Sequence, residues 1–179
     1  MNLIPGLRLI KDYISREEER ELIVNIDSET WDDTTLKRRT QQYGYEYSYK
    51  TRDLTSKVIP IPKWLDNIIN RVKTFFPRTP EQIIINEYLP GQGITKHIDS
   101  PKFDEPVVSL SMLSSCVMNF IHNEEKIPLL LEPRSLLIMS GDSRWLWYHE
   151  IPQRKYDDIG GVKISRGRRV SMTFRCRRI

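Results

Sequence analysis

The residues of this chain best suited to chemistry are two histidines, an aspartate and two arginines. His97 and Asp99, in "TKHIDS", are two apart, so on an extended strand both side chains project from one face and can reach one ion. A hard-to-borderline ion such as Fe(II) accepts imidazole and carboxylate together, and a two-His, one-carboxylate set leaves positions open for a substrate and O2. A third donor has to come from His122 or His149, the other two histidines. His149 lies in "RWLWYHE", whose apolar and aromatic residues mark an inward-facing strand, whereas His122 abuts "NEEK", a turn sequence suited to water.

A lone His-x-Asp is common and weak by itself. Here "RRVSMTFRCRR" adds a second element, because Arg169 and Arg175 are six apart and share a strand face with Ser171 and Thr173. Val170, Met172 and Phe174 alternate with them and demand burial, so the two guanidiniums face inward at a cost that an anion can offset. A small dicarboxylate pairs with such forks in bidentate fashion. Asn86 and Tyr88 in "INEY" are also two apart and can point at one ligand, although ordinary strand polarity explains them equally well.

The elements that would position these residues fall into two stretches. "SREEERELI" opens with a Ser-x-x-Glu capping box, Ser15 and Glu18, and continues with Leu22, Ile23 and Ile26 at helical spacing, which predicts a helix to about Ile26. Trp64, Leu65, Ile68, Ile69, Val72 and Phe75 predict a second helix between "IPIP" and Pro77. After Pro80 the period becomes that of strands: "QIIINEY", "VVSLSML", "CVMNFIH", "IPLLLE", "SLLIMS", "WLWYHE" and "RVSMTFRC". Seven short strands without alternating helices predict an antiparallel sandwich or jelly roll. Residues 153 to 168 read as one long surface loop.

With 179 residues, one domain is expected, and 39% hydrophobic against 29% charged residues describes a globular chain rather than a disordered one. Runs long enough to span a membrane are missing, and "MNLIPGLRLIKDY" lacks the apolar core of a secretion signal, so the expectation is an intracellular protein, cytoplasmic or nuclear. Cys116 and Cys176 match no zinc spacing, which leaves His, Asp and Glu as metal ligands. The formal charge is +4, and residues 153 to 179 hold nine Lys or Arg against Asp157 and Asp158, so that end should attract anions.

The order His-x-Asp, a distant His, then two arginines six apart on the last strand resembles the AlkB family of Fe(II)- and 2-oxoglutarate-dependent dioxygenases. "INEYLPGQGITKHID" is similar to the family's Asn-x-Tyr-x-Pro-Gly segment, "PRSLLIMSGDSRWLWYHEI" to its third-ligand strand and "RRVSMTFR" to its arginine strand. "RRTQQYGYEY" resembles its substrate-facing segment. The wording is most similar to members that hydroxylate modified wobble uridines in tRNA. The resemblance implies a double-stranded β-helix (jelly-roll) core over residues 81–179, with helices and a nucleotide-recognition segment over 1–80 packed on one sheet. It implies that His97, Asp99 and His149 bind Fe(II). It further implies that Asn86, Tyr88 and Arg169 hold the C5 carboxylate of 2-oxoglutarate, that Ser171 joins them, and that Arg175 lies near the C1 carboxylate. Glu150 stands where the family usually has Gly.

The implied reaction consumes O2 and 2-oxoglutarate and oxidises a C–H bond. On an N-methyl group the product sheds formaldehyde; on a carbon-bound methylene it is a stable alcohol. The reading is an oxidative demethylase of alkylated bases in RNA or single-stranded DNA, with a tRNA wobble-uridine hydroxylase and a protein-side-chain dioxygenase as alternatives. A monomer acting on a single-stranded or flipped base is expected, with RNA favoured. Tyr43, Tyr45, Tyr47 and Tyr49 alternate along a strand and could stack on a base, while Arg38 and Arg39 flank them. Arg154, Lys155, Lys163, Arg166 and Arg168 are candidate phosphate contacts.

Overall fold

Residues 4–179 are described in the computed structural model; residues 1–3, the start of the stretch read above for a signal, lie outside the described residues. In chain order the elements are β1 (Leu7–Ile10), α1 (Arg16–Ser28), β2 (Thr40–Ser48), β3 (Asp53–Ile59) and α2 (Asp66–Val72), the last flanked by single 3-10 turns. Then follow β4 (Gln82–Tyr88), β5 (Ile94–His97), β6 (Val107–Met112), β7 (Cys116–His122), β8 (Glu125–Leu131) and β9 (Leu136–Met139). The chain closes with α3 (Gly141–Trp145), β10 (Tyr148–Ile151), β11 (Tyr156–Ile159), β12 (Val162–Ser165) and β13 (Arg169–Arg175).

The strands form a seven-stranded sheet ordered β1-β9-β6-β13-β4-β2-β3, a four-stranded sheet ordered β5-β10-β7-β8, and the hairpin β11-β12. Alternation on β13 explains how the layers stack. Val170, Met172 and Phe174 join a core with Leu22 and Ile26 of α1 and with Ile68 and Val72 of α2. Arg169, Ser171, Thr173 and Arg175 therefore face the other way, toward the smaller sheet. A second core fills the space between the sheets, with Val107, Leu137 and Met139 from one side and Met118, Phe120 and Ile151 from the other. This is an antiparallel double-stranded β-helix with a helical layer on the outside of its larger sheet.

α1 starts as expected: the Ser15 amide donates to Glu18 Oε2 at 2.7 Å and the Glu18 amide to Ser15 Oγ at 3.1 Å. Three expectations need correction. The stretch from 153 to 168 is not one loop but contains β11 and β12, joined through Gly160 and Gly161 at φ +58° and +82°, the left-handed pair that a tight hairpin turn requires. "WLWYHE" is not all strand, since Trp145 ends the short helix α3 and the strand begins at Tyr148. The part before residue 80 supplies strands as well as helices, with β1, β2 and β3 in the larger sheet. Cys116 and Cys176 are buried free thiols. Among the described residues, no helix is long and apolar enough to cross a membrane.

Candidate active site

β5 and β10 pair antiparallel with His97 directly opposite His149, and the two ring centres are 4.3 Å apart. Asp99 follows β5 by two residues and is buried, with Oδ2 3.8 Å from His149 Nε2. Its Oδ1 accepts a hydrogen bond from Arg175 Nη2 at 2.5 Å. His97 Nδ1 lies 2.7 Å from the Thr95 carbonyl oxygen. A carbonyl can only accept, so Nδ1 carries a proton there, which leaves Nε2 as the ring nitrogen that can turn to a ligand. Burial pushes the pKa of His149 down to about 3, with His97 adding to the effect and Asp99 opposing it. Burial would raise Asp99, but Arg175 and the two histidines outweigh it and hold the carboxyl at about 2. At neutral pH the site thus offers a neutral imidazole at His149 and an ionised carboxylate at Asp99, the protonation states a metal needs.

The kind of donors fits Fe(II), yet the three side chains do not form a finished cage. Among the described residues no group of three or more His, Cys, Asp or Glu is gathered closely enough to hold a metal as it stands. Arg175 engages one oxygen of Asp99 and leaves the other toward His149. His149 Nδ1 is buried without a hydrogen-bond partner.

The co-substrate candidates converge on the inner face of β13 and β4. Arg169 stands opposite Tyr88, and Ser171 opposite Asn86 on one side and Ser111 on the other. Arg169 is 3% exposed, donates from Nη2 to Ser111 Oγ at 2.8 Å, and leaves Nε and Nη1 without partners. Its guanidinium sits 5.3 Å from the Tyr88 ring centre. A buried cation with two unanswered donors fits a carboxylate ligand. Tyr88 and Arg169 line a small cleft with Cys116, Ile151 and Gly167. Asn86 Oδ1 accepts from Arg38 Nε at 2.9 Å, and Arg38 lies 5.6 Å from the Tyr88 ring. Arg38, read as a nucleotide contact, thus sits with the co-substrate group. Ser111 was not singled out in the sequence; its signal is "VSLSM", which puts Ser109 and Ser111 on one face.

The tyrosines do not line one face. Tyr43 is buried against Trp64 in the helical layer, at 6.1 Å between ring centres. Tyr45 lies under Arg177, 3.8 Å from its ring centre. The pairing of β2 with β3 shifts register between Tyr45 and Tyr47, and Tyr47 packs instead on Tyr49 and on Phe103, whose ring also carries the Arg175 guanidinium. Of these four, Tyr47 and Tyr49 approach the site. Arg39 is paired with Glu87 at 2.7 Å and stacked 4.7 Å from the Trp31 ring centre.

Three of the five candidate phosphate contacts are likewise engaged inside the protein. Arg154 and Arg166 both bind Asp157, and Arg168 bridges Glu87 and Asp27. Lys155 and Lys163 remain exposed, the latter 4.2 Å from the Tyr156 ring centre. His122 packs edge-on to Trp147, and Glu150 accepts from Asn119 and Lys126, away from His149.

A residue not foreseen, Arg144 of α3, is fully buried and donates to the carbonyl oxygens of Asp99, Ser100 and Phe103.

Residues 29–175 match the model of the 2OG-Fe(II) oxygenase superfamily. Fold and match together define a dioxygenase that uses Fe(II), 2-oxoglutarate and O2. The chain is 38% identical over 177 residues to the uncharacterized protein L905 of Acanthamoeba polyphaga mimivirus, covering 95% of this chain and 84% of that one. It is 39% identical to the tRNA (carboxymethyluridine(34)-5-O)-methyltransferase alkbh8 of Xenopus tropicalis, over 94% of this chain but 28% of that protein. The alkylated DNA repair protein ALKBH8 homolog of Arabidopsis thaliana is 34% identical, with 58% of its length covered. The structure of OsALKBH1 superposes with a TM-score of 0.73 over 98% of this chain and 99% of that chain, at 17% identity, and shows the same fold. The chain belongs to the AlkB family.

Proposed function

We propose that this AlkB-family dioxygenase oxidises a modified base in RNA, with His97, Asp99 and His149 as the Fe(II) ligands. Arg169, with Asn86, Tyr88 and Ser171, receives the C5 carboxylate of 2-oxoglutarate, and Arg175 stands beside the C1 carboxylate. The observation that carries this reading is Arg169, a buried guanidinium with two free donors on the sheet that faces the His97–His149 pair. When bound, iron and 2-oxoglutarate supply the oxidising power. The protein's residues orient and protect. Arg169 fixes one end of the keto acid, the apolar core around Phe120 excludes water, and the imidazole of His149 stays neutral, with one ring nitrogen unprotonated.

Tyr47 and Tyr49 are the aromatic surfaces on which a flipped base would stack. The relatives named for carboxymethyluridine at tRNA position 34 support tRNA as the substrate and a carbon-bound methylene as the target. The outcome is then an alcohol. The chain spans 28% of the Xenopus protein, and the substrate is proposed for this chain from the matched portion alone. Oxidative demethylation of an alkylated base is the second reading, supported by the name of the Arabidopsis relative.

Incubating the iron-loaded protein with tRNA and with methylated RNA and DNA oligonucleotides separates the two. A gain of about 16 mass units on a uridine supports hydroxylation, and a loss of about 14 per modification supports demethylation. Uncoupled 2-oxoglutarate turnover with every nucleic acid unchanged would overturn both and leave a protein side chain as substrate.

A further inference from the structure

We infer that Arg144 is a positioning residue of the metal site, clamping the main chain that bears Asp99 to the helical turn that leads into His149. This rests on the ligand assignment above and adds to it the device that sets the distance between two of the ligands.

Arg144 is 2% exposed and heads the fully buried side chains by volume. Its Nη1 donates to the Asp99 carbonyl at 3.2 Å, and its Nη2 to the carbonyls of Ser100 at 2.9 Å and Phe103 at 2.7 Å. Its Cζ lies over the Trp145 ring, 4.1 Å from the ring centre. The far end of the same loop is tied to the same helix, because Glu105 Oε2 accepts from the Gly141 amide at 2.5 Å and from Trp145 Nε1 at 3.0 Å. The loop from 99 to 105 is thereby fastened to α3 at both ends.

Packing alone does not account for this residue. An apolar side chain would fill the inward face of α3 without burying a charge, and buried charges cost stability unless paired. Arg144 has no carboxylate bonded to it and instead spans three carbonyls of the loop, of which the Ser100 oxygen also accepts from the Phe103 amide at 3.1 Å. What it secures is register. Asp99 is two residues beyond β5, and Arg175 pulls on its Oδ1, so ladder pairing does not fix where its Oδ2 lies relative to His149. A main chain held from α3, five residues before His149, fixes it.

The test is anaerobic titration with Co(II), followed by its visible absorption, alongside thermal unfolding of the same samples. Arg144→Met is expected to bind Co(II) about tenfold or more weaker than the parent and with an altered absorption envelope, since groups behind the ligands commonly matter on that scale. Arg144→Lys is expected to recover part of the loss. Ile26→Ala, in the outer core, serves as a variant of lowered unfolding temperature and should keep parental affinity. Parental Co(II) affinity in Arg144→Met, or an equal loss in Ile26→Ala, overturns the clamp. If Arg144→Met does not fold, Arg144→Lys carries the comparison, because an ammonium keeps the charge but cannot span three carbonyls. Asp99→Ala with parental affinity would instead bring down the ligand assignment, and the two failures are told apart by that variant.

Discussion

At Arg169 the protein holds a guanidinium almost wholly out of water with two N–H groups unanswered, a state that costs stability and that a carboxylate relieves. Arg169→Ala is therefore expected to raise the KM for 2-oxoglutarate by at least about tenfold, since charge-assisted bidentate contacts are each worth roughly 1.5–3 kcal/mol. The unfolding temperature should hold or rise. Co-substrate titration of turnover checks the first point, and an unchanged KM would remove Arg169 from the site. His97→Ala and Asp99→Ala should each abolish Co(II) absorption changes at concentrations that saturate the parent. These residues were legible in sequence because side-chain spacing encodes a shared strand face: two for His97 and Asp99, six for Arg169 and Arg175. Arg144 was not, because its partners are main-chain carbonyls, which leave no trace in residue type. Tyr43 misled for a related reason: alternation predicts one tyrosine face, but a register shift in β2 breaks it.

Among the elements, the β11–β12 hairpin shows how a buried carboxylate anchors a projection. Asp157 accepts from Arg166 Nε at 2.6 Å and Nη2 at 2.7 Å, from Arg154 Nε at 2.8 Å and from the Val117 amide at 3.0 Å. Burial pushes its pKa up, but these donors outweigh that and hold it below the ordinary value. A carboxylate depressed in the folded state stabilises fully above its unfolded pKa of about 3.9, and the contribution is lost as pH falls through the folded value. Asp157→Asn should therefore cost roughly 3–5 kcal/mol near pH 7, the scale for breaking a buried pair, and progressively less below about pH 4. Urea unfolding at a series of pH values checks this; a cost that is the same at pH 3 and pH 7 would rule out the ionised carboxylate as the cause. The hairpin was hidden by its polarity, although "DIGGVK" carried the Gly-Gly signal of a tight turn. β1 and β3 escaped for a different reason: both are edges of the larger sheet, where one side of the strand lacks a partner and the apolar alternation is weak.

Across the whole molecule, the seven strand-like runs after Pro80 were enough to indicate a sandwich, since a strand buried between two layers must be apolar on at least one face throughout. What they could not show is that the larger sheet has work on both sides, with helices on its outer face and the site on its inner one. This separation predicts two classes of core mutation. Ile26 is fully buried in the outer core, and Ile26→Ala should cost roughly 2–5 kcal/mol of stability. Phe120 is fully buried between the sheets, paired in register with His149 and 6.1 Å from its ring centre, and Phe120→Ala should cost roughly 3–5 kcal/mol. The two variants should be similar in urea midpoint yet differ in Co(II) titration, with Phe120→Ala weakened severalfold and Ile26→Ala unchanged. A cavity beside His149 frees its ring to turn, whereas one beneath α1 is separated from the ligands by a complete sheet. Equal loss of Co(II) affinity in both would mean that strain crosses the larger sheet, and that the helical layer belongs to the active site as much as the strands do.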